Sequence, residues 1–128
     1  MKRILSVVAL LVLAACNGER LVEPPPYRDA VRVEGRFYLL HDDRVLTAQD
    51  QAGLGPDYAL VARRLACSGV WVDRRGALRD ECGMRDGDAT DLQPGTALRA
   101  LHPDPAGQRL VAVREGRLLV FHAYFPPD

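Results

Sequence analysis

A mainly β domain, a small antiparallel barrel or sandwich with at most one short helix, is the fold that this sequence predicts. Three observations carry it. Apolar and polar residues alternate at period two in several short runs, and Gly, Asp and Pro punctuate those runs at short intervals. Two cysteines, Cys67 and Cys82, stand almost symmetrically about one such turn. About 100 residues follow the N-terminal segments, enough for one small domain with a thin core.

The first strand is read from VRVEGRFYLL. Val31, Val33, Gly35, Phe37 and Leu39 share one face, and Arg32, Glu34, Arg36 and Tyr38 share the other. His41, Asp42 and Asp43 then read as a turn, after which residues 45–48 pair back. Residues 58–67 fit two patterns. Asp57 can cap a helix with Tyr58, Val61, Ala62 and Leu65 on one stripe and Gly69 past its end, which is the preferred reading. The same letters also make a strand running into GVWVD.

GVWVDRRGALRDEC predicts a hairpin turned at residues 73–76, with Gly76 in the left-handed position. A loop over residues 83–95 precedes three further strands, TALRAL, RLVAV and RLLVFHAYF, the last two joined by a tight turn at residues 114–116. Folding the central hairpin brings Cys67 and Cys82 across from each other. In an oxidising compartment a disulfide is the expected pairing, with two free thiols or a metal pair as the alternatives.

The N-terminus carries a different signal. Lys2 and Arg3 are followed by a run, Ile4 to Ala15, that is apolar except at Ser6. At about 1.5 Å per residue a helix of that length covers roughly 18 Å, well short of a ~30 Å hydrocarbon core. A basic start, a short apolar run and small residues at a border describe an export signal. Leu13-Ala14-Ala15-Cys16 resembles the lipobox of bacterial lipoproteins. The resemblance covers only the first sixteen or so residues. It implies cleavage before Cys16, a diacylglycerol on its thiol and acylation of the new amino terminus. Two or three acyl chains anchor stably where one does not. By the same resemblance, Asn17 after the cysteine favours the outer membrane, facing the periplasm, over the inner one. An ordinary secretory signal is the other reading.

These signals divide the chain into a signal peptide over residues 1–15, a lipidated cysteine and extended tether over 16–29, and one β-rich domain over 30–128. Pro24, Pro25 and Pro26 favour an extended spacer. Stretched at ~3.3 Å per residue, the tether holds the domain about 40 Å from the lipid. No internal repeat and no second domain are read.

Composition narrows the partners. Removing Lys2 and Arg3 from the 17 basic residues leaves 15, all Arg, against 17 acidic ones, a net charge near −2. A near-neutral mixed surface, like export itself, argues against a nucleic-acid partner, which calls for a basic face. The expected partners are membrane lipid through Cys16 and another envelope protein or a cell-wall component.

Three chemistries have candidate residues in the chain. Asp86, Asp88 and Asp91 cluster in a loop as calcium ligands do, but Asp91 occupies the position of the turn Gly of a calcium loop and Ala97 that of its bidentate Glu. A solvated acidic turn fits better. His41, His102 and His122 show no paired metal-ligand spacing. Ser68, the only serine after residue 15, has no nucleophile motif around it. Trp71 and Tyr124 read as core or barrel-end residues. Small β-barrel lipoproteins with one disulfide include lysozyme inhibitors, but their Tyr-x-Cys start and Ser-Gly-x-Arg-Tyr loop are missing here. The expectation is a tethered, non-catalytic binding or structural module with no cofactor. An inhibitor or chaperone of envelope proteins is the alternative, and a small enzyme a more distant one. The turns around His41, Arg74 and His102 are the first places expected to contact a partner.

Overall fold

The structure, a computed structural model, describes residues 24–127, so Cys16 and residues 1–15, where a signal peptide is expected, lie outside the described residues. In chain order the elements are β1 (Ala30–Val33), β2 (Arg36–Val45), α1 (Ala48–Gly53), β3 (Leu54–Leu60), β4 (Arg63–Arg64) and β5 (Trp71–Val72). There follow β6 (Leu78–Arg79), β7 (Asp88–Ala89), β8 (Ala97–Leu101), β9 (Arg109–Arg114) and β10 (Arg117–Ala123). The main sheet has eight strands in the order β3-β8-β9-β10-β2-β1-β7-β4, and β5 and β6 form a separate hairpin. The domain is mainly β, curled into a half-barrel, with one short helix among the described residues.

Two Glu-Gly pairs frame the sheet. Glu34 (φ 51°) with Gly35 (φ 77°), and Glu115 (φ 52°) with Gly116 (φ 76°), all take the left-handed conformation. Two-residue hairpins of type I′ require positive φ at both central positions, and they match the twist of the flanking strands. The second turn was expected. The first was not: the single strand read over residues 31–39 is a β1–β2 hairpin, because Glu34-Gly35 reverses the chain inside the alternating run. His41, Asp42 and Asp43 in turn are not a turn but part of β2, held against β10 by pairs that include Leu119↔Asp43 and Val120↔Asp42.

An internal repeat emerges from this frame, contrary to the sequence reading. Glu-Gly-Arg, four apolar or aromatic residues and His occur at residues 34–41 and again at 115–122. The spatial order β9-β10-β2-β1 relates the two hairpins by a local twofold. Leu40 and Phe121, equivalent in the repeat, face each other across it. The symmetry breaks one residue later, where the register shifts and His41 becomes the extra residue of a β-bulge.

The helix is also displaced from its expected place. Residues 58–67 form no helix: residues 58–60 complete β3, residues 63–64 make β4, and the helix lies upstream as α1. Thr47 explains why. Its side chain accepts from the Asp50 N–H while the Asp50 carboxylate accepts from the Thr47 N–H, both at 3.0 Å, forming a capping box. Arg44 clasps the same carboxylate with two bonds of 2.5 and 2.9 Å. Residues 58–67 instead find backbone partners on other strands, as in the parallel pairing of β4 with β7.

The Arg44 bond, and then the Thr47 N–H, hold the Asp50 carboxyl well below the ordinary carboxylate range. A carboxyl depressed on folding contributes stability that is present above its unfolded pKa of about 4 and lost as pH falls below it. Asp50→Asn is therefore expected to lower the melting temperature at pH 7, with the gap to wild type closing between about pH 4 and pH 2. Thermal melts of both chains across that range check it.

Three clusters of side chains hold the sheet. The largest gathers Val31, Tyr38, Leu98, Leu110, Leu119 and Phe121 on the inner face. On the outer face Leu101, Val111, Leu118 and Val120 pack near α1, with Leu46 and Leu54 against them. A separate outer cluster of Ala30, Leu39, Val70 and Met84 lies under the β5–β6 hairpin. The expected disulfide joins Cys67 to Cys82, with Cα atoms 6.0 Å apart. The segment before β1 is tied to this end: Arg28 exchanges backbone hydrogen bonds with Val70 at 2.7 and 3.0 Å. Gly69 permits that approach, since a Cβ there would collide with the Arg28 carbonyl.

Candidate functional site

A cleft of about 640 Å³ opens where two hairpins and the segment after β10 meet. The β1–β2 turn supplies Arg36 and Phe37, the β5–β6 hairpin supplies Leu78, and the segment after β10 supplies Tyr124, Phe125 and Pro127. That volume lies within the 300–1,000 Å³ range of small-molecule and side-chain pockets. Tyr124 organises it. Its backbone N–H donates to the Phe37 carbonyl at 2.8 Å, continuing the β2–β10 edge. Its hydroxyl donates to the Gly76 carbonyl at 2.5 Å and accepts from the Leu78 N–H at 3.1 Å, clamping the hairpin to the sheet. Arg36 stands 4.7 Å from the centre of the exposed Phe125 ring, a cation–π contact. The result is an apolar, aromatic floor with a guanidinium at its rim.

The hairpin wall is built as the sequence implied. Asp73 accepts from the Arg75 and Ala77 N–H groups at 2.9 and 3.0 Å and pairs with Arg79 at 2.8 Å, while Gly76 takes φ 83°. Those bonds, led by the Ala77 N–H, push the Asp73 carboxyl below its ordinary pKa. Arg74 is exposed on the tip.

The acidic loop is resolved into separate ion pairs. Asp88 is buried and clasped by Arg63 at 2.8 and 3.0 Å, and it also accepts from the Arg85 N–H. Asp86 accepts from the Gly35 N–H at 2.8 Å and lies 3.3 Å from Arg32. Asp91 pairs with Arg114 at 3.0 Å. Each carboxylate thus faces an arginine, and among the described residues no three metal-type side chains gather. Ser68 is exposed beside the disulfide.

The histidines divide. His41 and His122 stack with ring centres 4.0 Å apart and planes 13° from parallel. His122 also lines a cleft of about 250 Å³ with Asp104, Gln108, Arg109 and Phe125. Burial, then the charges of His41, Arg109 and Arg28, lower its pKa, against a small opposing effect of Asp104. His102 follows β8 and lines a different cleft of about 340 Å³ beside Asp50 and Arg109. His41, Arg74 and His102 therefore do not converge on one pocket. The pairing of His41 with His122 was missed, although the repeated Glu-Gly-Arg motif, ending each time in His, is the signal that could have found it. The part played by Arg36, Phe37 and residues 124–127 left no motif at all. No protein-family model, no curated protein and no solved structure matches the chain.

Proposed function

We propose that this chain is a lipid-anchored envelope lipoprotein whose β domain binds another envelope component, without catalysis, in the 640 Å³ cleft. The cleft carries the reading. It joins an apolar floor of Phe37, Leu78 and Phe125 to a guanidinium, Arg36, that suits an apolar or aromatic group bearing negative charge. The Cys67–Cys82 disulfide supports an oxidising compartment. Leu13-Ala14-Ala15-Cys16 supports the anchor, and mass spectrometry of the N-terminal peptide tests it directly: an unmodified Cys16 or cleavage elsewhere overturns lipidation.

Photo-crosslinking in cells from a residue placed at Pro127 tests the binding role. Capture of one abundant envelope protein or cell-wall fragment is expected, reduced about tenfold by Phe125→Ala if the ring anchors the contact with a little over 1 kcal/mol. Capture that Phe125→Ala leaves unchanged, or turnover of a substrate by the purified chain, defeats the reading.

A further inference from the structure

Four basic side chains line up across the outer face of this domain. Arg109 on β9 pairs in register with His122 on β10, and His122 in turn with Leu39 on β2. The bulge at His41 brings that imidazole round to stack on His122. Ala30 opposes Leu39, and the Leu40 N–H donates to the Asp29 carbonyl at 2.8 Å, so continuing the same register sets Arg28 opposite His41. Arg28, His41, His122 and Arg109 thus form one line across four neighbouring chain segments. The line crosses the stretch of the outer face between the cluster near α1 and the cluster under the β5–β6 hairpin.

We propose that this row is a binding site for a phosphate group, held more tightly once His122 is protonated. The basic side chains of the row outnumber the carboxylates that face them. Asp104, from the loop before β9, is the carboxylate that faces the row, and it is spent on Arg109: it accepts from the Arg109 N–H at 3.0 Å and lies 3.8 Å from the side chain. The Arg109 guanidinium also donates to the Leu101 and Pro103 carbonyls, which fix it in place. Among the described residues, no carboxylate lies within ion-pair distance of Arg28, and no protein acceptor takes up an N–H of His41 or His122. The row opens at His122 into the 250 Å³ cleft, room enough for a tetrahedral oxyanion with its shell of water. Three basic side chains face His122: His41 from β2, Arg109 from β9 and Arg28 from the segment before β1. Their charge opposes its protonation in the free protein, and a bound anion would reverse that opposition.

Histidine C–H resonances of the full chain in neutral detergent micelles provide the test, titrated from pH 8 to pH 5 in chloride and in inorganic phosphate at equal ionic strength. Phosphate is expected to raise the titration midpoint of His122 by about one pH unit, and Arg28→Gln or His41→Gln to remove most of that rise without changing the melting temperature. A second arm replaces inorganic phosphate with vesicles of phosphatidylglycerol or phosphatidylcholine. A shift produced by the free ion assigns the site to a soluble phosphate. One produced only by phosphatidylglycerol, and lost in Arg28→Gln, assigns it to a lipid headgroup. Identical midpoints in chloride, phosphate and both vesicles overturn the proposal, and so does a shift that survives both substitutions.

Discussion

Chains in which Cys67 and Cys82 are both replaced by alanine are expected to melt about 15 °C below the disulfide-bonded chain. The bridge closes a sequence separation of 15 residues. In the chain-entropy model such a loop contributes about 3 kcal/mol, and each kcal/mol moves the melting point of a domain this size by roughly 4–8 °C. The surroundings leave little to compensate. β5 and β6 are two residues each, joined by the pairs Trp71↔Arg79 and Val72↔Leu78. The covering of the outer cluster around Val70 and Met84 therefore depends on the bridge as well as on the Tyr124 clamp. Calorimetry of the oxidised chain, the reduced chain and the double variant checks this. The last two should coincide, and a double variant melting with the oxidised chain would show that the bridge is dispensable.

Phe121→Ala is expected to lower the unfolding free energy by about 3–5 kcal/mol, the usual cost of emptying a buried aromatic site. The ring is 1% exposed and belongs to the inner cluster. It also sits at the local twofold, opposite Leu40, so its loss opens a cavity where the two hairpins join. A cost of that size removes a large part of the stability of a small domain. Urea unfolding followed by fluorescence should show a lower midpoint at unchanged slope, whereas a loss below about 1 kcal/mol would mean that the two hairpins close over the gap.

What was legible in the sequence was mostly local. The β8, β9 and β10 strands, the hairpin at residues 73–76 and the turn at 115–116 each carry their signal within a few residues. The disulfide followed from the symmetry of Cys67 and Cys82 about that hairpin. Sequence and structure part where one pattern satisfies two structures. The alternation across residues 31–39 survives a two-residue reversal, because Glu34-Gly35 can be counted as one step out and one step in. Residues 58–67 carry a helical stripe, yet Val61 is claimed by the inner core and the backbone around it by the segments beside β8 and β7, as with the Val61 N–H on the Thr96 carbonyl. The capping box that made α1 was present in Thr47 and Asp50, but the box pairs Thr with Asp where Glu or Gln is the familiar partner. Of the site, the walls come from residues about 90 positions apart, so nothing near Arg36 announces Tyr124 or Phe125.

The place of β10 in the sheet has a consequence for when the protein can fold. It is the last of the described strands in the chain, yet it lies between β9 and β2, with three strands on one side and four on the other. The β1–β2 hairpin, made first, therefore lacks its main neighbour until nearly the whole chain has emerged. Contacts spanning some 80 residues place such a topology among the slower folders, on the millisecond-to-second scale.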